Sequence, residues 1–214
     1  AVRTENPQLL QLNEISQKAL PSESSVGSIL VADVSPNNGD IHALALAGRT
    51  GEVLALLDAN GDLLESRDSD GMTPLAKAAW GNHLDLVNAL VTRHANLNCP
   101  NNNGLSPLFS ALDRGNRLMA TRLADAGADL TVTGYRNWTL LHASARIGYV
   151  DFVHRLLDAG LDPNATSSLG RTPLHWAQRF DFTDVGSELV NAGAVAIPNP
   201  QPWPKPPQKL SGHR

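Results

Sequence analysis

The sequence predicts an all-α solenoid of about five helix-turn-helix repeats, joined by short loops of β-hairpin type. The first observation behind this prediction is a period: related tripeptides begin at Thr73, Ser106, Thr139 and Thr172, and the interval between them is the same each time. The second is that every repeat contains two stretches with helix start and stop signals. The third is composition, because 42% hydrophobic and 18% charged residues are typical of a chain with a foldable core. In proteins with such a period, each unit stacks on its neighbours.

The first helix of each repeat begins at its tripeptide. A hydroxyl side chain followed by Pro, as in Thr73-Pro74 and Ser106-Pro107, predicts a helix start. The hydroxyl caps free backbone N–H groups, and Pro fits the first helical position. We expect this helix to run for about eight residues. It should end where residue types readily enter the left-handed conformation, at Asn82, Gly115, Gly148 and Asp181.

The second helix of each repeat carries a pair of apolar residues with the same period. These pairs are Leu90-Val91, Leu123-Ala124, Leu156-Leu157 and Leu189-Val190, and the helices should end near Gly127, Gly160 and Gly193. Runs of turn-forming residues at 68–71, 101–104, 134–137 and 167–170 then predict tight loops between repeats.

A fifth, more divergent copy lies upstream of the other four. Ile41-His42, Gly48 and Leu56-Leu57 align with the next repeat once a single extra residue is allowed in the connecting loop. The predicted repeat domain therefore covers 37–196, with repeats at about 37–68, 69–101, 102–134, 135–167 and 168–196.

The two ends of the chain are predicted to differ from the repeats. Residues 1–36 contain apolar residues at roughly helical spacing and are expected to cap the array. Residues 197–214 hold six of the chain's 14 prolines, which predicts an extended, proline-rich tail. Within it, 204–209 matches a short pattern that SH3 domains read.

The repeat unit resembles the ankyrin repeat, which has the same period and carries Thr-Pro-Leu-His at its first helix. The segments that carry the resemblance are Leu141-His142, Leu174-His175, Gly127–Asp129 and Gly160–Asn164. The resemblance implies that His42, His142 and His175 connect neighbouring loops through hydrogen bonds. The chain departs from the family pattern at a few positions: Ala76 and Phe109 replace the His, Leu140 replaces the Pro, and Asn137 replaces the loop Gly.

Composition and missing motifs exclude several function classes. Lys and Arg number 17 against 21 Asp and Glu, and the net charge of −4 disfavours a uniformly basic nucleic-acid binder. Cys99 is the single cysteine, so neither an internal disulfide nor a metal site of several thiolates can form. No apolar stretch approaches the roughly 20 residues of a membrane span. Catalytic signatures are absent, so we predict no enzyme activity, no metal and no cofactor.

The resemblance also implies where a partner binds. In ankyrin proteins the loop tips and the ends of the first helices form a concave binding surface. Here those positions hold four aromatic residues, and five arginines against two aspartates. Such side chains often dominate binding energies. The predicted partner-binding residues are Met72, Trp80, Leu105, Arg114, Tyr135, Arg136, Trp138, Arg146, Ile147, Arg171, Arg179 and Phe180. The alternative is that some of these rings pack between loops and the arginines form a solvated rim.

We therefore expect a non-catalytic adaptor or scaffold that binds an acidic protein partner, centred on Arg136, Trp138, Arg146 and Arg179. The alternative is an inhibitor or immunity-type protein that blocks the active site of a partner enzyme in the periplasm. The family favours the cytoplasm, whereas Ala1, if it is a processed N-terminus, favours the periplasm or the exterior. The chain alone is expected to be a monomer.

Overall fold

The computed structural model describes residues 40–196, and this part of the chain contains ten α-helices. The helices form five pairs, which confirms the predicted all-α solenoid of helix-turn-helix repeats. The predicted cap over 1–36 and the predicted tail over 197–214, including the proline motif at 204–209, lie outside the described residues.

Each pair consists of a short first helix and a longer second helix. Two 3₁₀ helices, Gly61–Glu65 and Tyr135–Asn137, lie between pairs. The first helices have six or seven residues, slightly fewer than predicted. In chain order the pairs are α1 (Ile41–Leu46) with α2 (Thr50–Ala59), α3 (Pro74–Trp80) with α4 (Leu84–Thr92), α5 (Pro107–Asp113) with α6 (Arg117–Asp125), α7 (Leu140–Arg146) with α8 (Val150–Asp158), and α9 (Pro173–Arg179) with α10 (Thr183–Asn191).

The first helices begin at the predicted hydroxyl residues. The Thr73 hydroxyl accepts a hydrogen bond from the Ala76 N–H at 3.2 Å, and the Ser106 hydroxyl accepts one from the Phe109 N–H at 3.1 Å. In α7, which lacks the Pro, His142 Nδ1 accepts a hydrogen bond from the Thr139 N–H at 3.2 Å. A cap of this kind satisfies backbone donors that a helix start otherwise leaves free.

The turns after the first helices contain the predicted left-handed residues. The φ angle is 62° at Asn82, 74° at Gly115, 65° at Gly148 and 56° at Asp181. Because these residue types adopt positive φ at low cost, the chain can reverse direction into the second helix within two or three residues.

The core consists of leucines that recur with the repeat period. The third residue of each tripeptide is buried in its first helix, and one leucine of each second helix in the last four repeats has no exposed surface. Burying a leucine side chain contributes about 1.5–3 kcal/mol of stability. The two sets are Leu75, Leu108, Leu141 and Leu174, and Leu90, Leu123, Leu156 and Leu189.

Two of the three predicted histidines make hydrogen bonds to the loop that follows. His42 Nε2 donates to the Ser66 carbonyl at 3.0 Å, and His142 Nε2 donates to the Arg171 carbonyl at 2.9 Å. Burial lowers the pKa of His142, which keeps its ring neutral and able to accept at Nδ1. For His175 the described residues include no loop beyond the fifth repeat to which the ring could bond.

The loops between repeats are closed turns. The four closing backbone hydrogen bonds run from Asp68 to Met72, from Asn101 to Leu105, from Gly134 to Trp138 and from Ser167 to Arg171, with N···O distances of 2.8–3.1 Å. Within 40–196 we find one isolated β-bridge, between Thr133 and Thr139. No helix in the same range is both long enough and apolar enough to cross a membrane.

Candidate partner-binding face

One face of the solenoid combines the inter-repeat loops with the C-terminal ends of the first helices. We call it the inner face and define it by the loops 68–72, 101–105, 134–138 and 167–171 and the last residues of α1, α3, α5, α7 and α9. All twelve residues predicted to bind a partner lie on these segments or directly after them.

Three of the four loops begin with a polar side chain that holds the turn. The Asp68 carboxylate accepts hydrogen bonds from the Asp70 and Met72 N–H groups at 2.9 and 2.8 Å. The Asn101 side chain accepts the corresponding bonds from its own loop, and the Ser167 hydroxyl accepts one from the Arg171 N–H. In each of these loops the side-chain oxygen accepts a hydrogen bond from a backbone N–H that has no backbone acceptor in the turn, which is why Asp, Asn and Ser favour turns.

The loop of the fourth repeat is built differently. It begins with Gly134, and the two residues at its tip, Arg136 and Asn137, both have φ of 57°. A Cβ atom at Gly134 would overlap the Phe109 ring, so only glycine fits there. The Arg136 carbonyl accepts a hydrogen bond from the Ser168 N–H of the next loop at 2.8 Å. This loop therefore presents the Arg136 side chain from a fixed backbone.

Five of the twelve predicted residues are buried, which corrects the expectation that they are exposed. The alternative interpretation, that rings are packed, is right for Trp138 and Phe180, but Arg146 and Arg171 are buried and do not form the solvated rim that it expected. The five buried residues are Met72, Trp138, Arg146, Arg171 and Phe180, with 3–8% of their surface exposed.

Trp138 is buried because its ring is packed among other rings. Its centroid lies 4.7 Å from that of Trp176 and 5.6 Å from that of Tyr135, and the His142 ring stacks on it at 6.0 Å. The Phe180 ring also stacks on Trp176, with 6.0 Å between the ring centroids. Aromatic pairs at these distances stabilise a fold beyond the area that they bury.

Arg146 and Arg171 are buried because each lies over an indole ring. The Arg146 Cζ is 5.7 Å from the centroid of Trp138, and that of Arg171 is 5.6 Å from the centroid of Trp176. An Arg146 terminal nitrogen also donates to the carbonyl and the carboxylate of Asp113, at 2.6 and 2.8 Å. The two stacking contacts lie within a repeat, whereas the Arg146–Asp113 contact joins the fourth repeat to the third.

The Met72 side chain completes the floor of a depression between the second and third repeats. Met72 is 8% exposed and lines the depression together with Leu105. Trp80 and Arg114 lie at the rim of the same depression.

The remaining seven predicted residues are accessible. Trp80 is 42% and Tyr135 is 40% exposed. Arg114, Arg136 and Arg179 are exposed, whereas Leu105 and Ile147 are half-buried. The Tyr135 hydroxyl donates to Asp113 at 2.8 Å, and partial burial together with that carboxylate raises the pKa of the tyrosine.

The loops 134–138 and 167–171 and the ends of α7 and α9 carry arginines and no carboxylate, so this part of the inner face is positively charged. Burial lowers the pKa of Arg171, and the nearby cations Arg179 and Arg136 lower it further. The pKa of His175 is lowered by burial and by the charges of Arg171 and Arg179. Because only nearby like charges act in this way, Arg136, Arg171 and Arg179 form one cationic cluster, and His175 lies beside it.

One exposed residue of the inner face was not predicted from the sequence. Leu46, at the end of α1, is 41% exposed and occupies the position equivalent to Trp80 in the divergent first repeat. The alignment of these two repeats is the signal that could have identified it. Among residues 40–196 no group of three or more His, Cys, Asp or Glu side chains is arranged to hold a metal ion.

Two comparisons with known proteins bear on this fold. A family model described as ankyrin repeats in three copies matches residues 41–134 and 131–199, and therefore most of the chain. Ankyrin repeat domain-containing protein 49 from Drosophila melanogaster is 40% identical to the chain over 48 residues. That match covers 22% of this chain and 22% of the Drosophila protein, about the length of one and a half repeats.

Proposed function

The chain belongs to the ankyrin repeat family, and from this premise we propose that it is an adaptor or scaffold that holds an acidic protein partner on its inner face. Ankyrin repeats are generally protein–protein interaction modules, and the family is typically non-enzymatic. Two exposed arginines of the fourth and fifth repeats, Arg136 and Arg179, bind the carboxylates of the partner.

The observation that carries this proposal is the cationic cluster around these two residues. Arg136 and Arg179 are exposed, and both act on the pKa of the buried Arg171. Guanidinium groups bind carboxylates with two parallel hydrogen bonds, and arginine is among the residues that most often dominate an interface. A cluster of this kind favours a partner with several Asp or Glu side chains.

Affinity capture with the purified chain tests the proposal. The informative variant is Arg136→Glu with Arg179→Glu, because it reverses two exposed charges without removing a core side chain. Trp138→Ala would be uninformative, since Trp138 is buried and its loss perturbs the fold. Partners retained by the wild type should be lost by the variant, and their identity decides between an adaptor and an enzyme inhibitor.

The matched control is Arg93→Glu with Arg155→Glu, which makes the same charge change on the second-helix layer. Arg93 pairs with Asp58, and Arg155 pairs with Asp125. Exposed pairs of this type contribute about 1 kcal/mol or less, so the control should fold. If both variants retain the same partners as the wild type, the proposal is wrong.

A further inference from the structure

We propose that the depression between the second and third repeats is a second docking point, which takes an apolar side chain of a partner peptide together with a carboxylate next to it. This inference rests on the proposed function and names the partner's chemistry at a different part of the inner face. We call the site the Trp80 depression, lined by Ala76, Ala79, Trp80, Leu105, Ala111 and Arg114.

The lining of the Trp80 depression is mainly apolar, with polar groups from Asn101, Ser110 and Asn116 at its edges. Ala76 and Ala79 of α3 and Ala111 of α5 are buried, and their small side chains leave space between the two helices. Leu105 of the 101–105 loop closes one side of the depression. The Trp80 ring is 42% exposed, so an apolar group that packs against it removes further apolar surface from water.

Arg114 provides the polar half of the site. Its Cζ lies over the Trp80 ring, 4.1 Å from the ring centroid, which is within cation–π distance. Apart from this contact, the Arg114 guanidinium makes no hydrogen bond or ion pair within residues 40–196, and only the Arg114 backbone N–H is bonded, to the Ser110 carbonyl. Stacking uses the face of the guanidinium and leaves its N–H donors at the edge available for a carboxylate.

The local charge balance favours an acidic occupant. The carboxylates on this part of the inner face are already engaged: Lys77 Nζ lies 2.6 Å from Asp68 and 3.6 Å from Asp70, and Arg146 lies 2.8 Å from Asp113. Within residues 40–196 the Arg114 charge therefore has no carboxylate partner, and it lies beside an apolar surface. An incoming carboxylate can make the two-pronged hydrogen bond that planar guanidinium groups favour.

The occupant is a segment of another protein in which Asp or Glu lies one or two residues from a large apolar residue. The apolar side chain enters the depression, and the carboxylate meets the edge of Arg114. Leu46, exposed at the equivalent position of the first repeat, continues the apolar surface along the inner face. Arg136 and Arg179 belong to the fourth and fifth repeats, so the two docking points can be tested separately.

A selection from random dodecapeptides displayed on phage, carried out on the purified full chain, tests the inference. We expect the enriched peptides to share a large apolar residue with an adjacent Asp or Glu. Synthetic fluorescein-labelled copies should bind Trp80→Ala and Arg114→Gln at least about tenfold more weakly in fluorescence polarisation, as expected for contacts at the centre of an interface. Arg93→Gln is the matched control and should bind as the wild type does.

A double-mutant cycle gives the second readout. Replacing the peptide's Glu by Gln should weaken binding to the wild type about tenfold and have little further effect on Arg114→Gln, because the two changes remove the same contact. Thermal melting of each variant within a few degrees of the wild type shows that the fold is kept.

Four results would overturn the inference. The first is enrichment of peptides without the apolar and acidic pair, or of none, and the second is equal binding by Trp80→Ala and Arg114→Gln. The third is displacement of the probe by a peptide copy of residues 197–214, which makes the chain's own tail the occupant. The fourth is a dimer in light scattering that Trp80→Ala dissociates. None of these results tests the proposed function, which is tested separately by the binding of the Arg136→Glu/Arg179→Glu variant.

Discussion

Arg136 has a backbone conformation that residues other than glycine rarely adopt. Its φ is 57°, and Asn137 has the same value, so the 134–138 loop contains two consecutive residues of this kind. Asn tolerates the left-handed region through its short polar side chain, whereas Arg gains nothing comparable. Strain of this kind costs on the order of 1 kcal/mol and is often found at functional sites. The fold thus accepts a cost that places a cation on the inner face.

Replacing Arg136 by glycine should separate binding from stability. Arg136→Gly should raise the free energy of unfolding by up to about 1 kcal/mol, because glycine adopts φ of 57° without strain. The gain is limited because glycine also adds conformational entropy to the unfolded state. The same change should weaken binding to the partner. Chemical denaturation and an affinity measurement provide the two readouts.

Asn137→Gly is the matched control for that change. It relieves less strain and removes no charge, so its stability gain should be smaller and its affinity unchanged. A clear loss of stability in Arg136→Gly would show that the arginine side chain supports the loop instead.

His142 predicts a pH dependence of stability. Its folded pKa is lowered from 6.5 by burial, so the folded state resists the proton that the unfolded state binds. The resulting stability is present above about pH 6.5 and is lost as the pH falls below that value. His175 acts in the same direction, and His154, whose pKa is raised by Glu188 and Asp158, acts in the opposite one.

The comparison of His142→Gln with the wild type isolates this residue. The variant should be less stable at pH 7.5 by about 1–3 kcal/mol, since a buried hydrogen bond to the Arg171 carbonyl is weakened. Its loss of stability between pH 6.5 and pH 5 should be smaller than that of the wild type. Urea titrations at four pH values measure both effects, and parallel curves would contradict the assignment.

Single residues also mark the limit of what the sequence could predict. The repeat register placed Trp138 and Arg146 on the inner face correctly, but it could not show that both side chains are buried. Their burial depends on Trp176 and Asp113, which come from neighbouring repeats. Contacts between repeats are set by side-chain packing, which a periodic pattern does not contain.

At the scale of helices and loops, the sequence was more informative. Thr73, Ser106 and Thr172 mark helix starts because their hydroxyls cap the following turn, a local interaction that needs no tertiary structure. The replacement of the loop glycine by Asn137 indicated an altered fourth loop. Its fit against the Phe109 ring, through Gly134, depends on a side chain of α5 in the preceding repeat and could not be predicted.

The fourth loop predicts the effect of a single methyl group. Gly134→Ala would drive Cβ into the Phe109 ring, and the ring is fully buried and cannot move freely. We expect a loss of about 1–3 kcal/mol, typical of overpacking. Gly51→Ala in α2 is the control, because the added Cβ would meet no atom within 4 Å outside its own helix turn. This change should be neutral or stabilising. Equal melting temperatures for the two variants would show that the loop can shift.

At the scale of the whole array, each repeat depends on its neighbours. Stability in a solenoid is roughly the sum of repeat stabilities and nearest-neighbour interfaces. The contact of Trp138 with Trp176, at 4.7 Å between centroids, is a main part of the interface between the fourth and fifth repeats. Weakening it should release the fifth repeat before the rest.

Trp138→Ala should therefore unfold in a less cooperative manner. We expect a loss of about 3–5 kcal/mol and faster hydrogen exchange in α9 and α10 than in α3 and α4, measured by mass spectrometry. Trp80→Ala is the control, because its ring is 42% exposed, and it should change exchange little. A uniform increase across all five repeats would mean that the array unfolds as one unit.

The central claim is that Arg136 and Arg179 hold an acidic partner. The most direct measurement is the affinity of the captured partner for Arg136→Glu/Arg179→Glu and for the control Arg93→Glu/Arg155→Glu, by calorimetry at low and moderate salt. The account predicts at least about a thirtyfold loss for the first variant, near wild-type affinity for the second, and weaker wild-type binding at higher salt. Equal affinity of all three proteins, unchanged by salt, would contradict it.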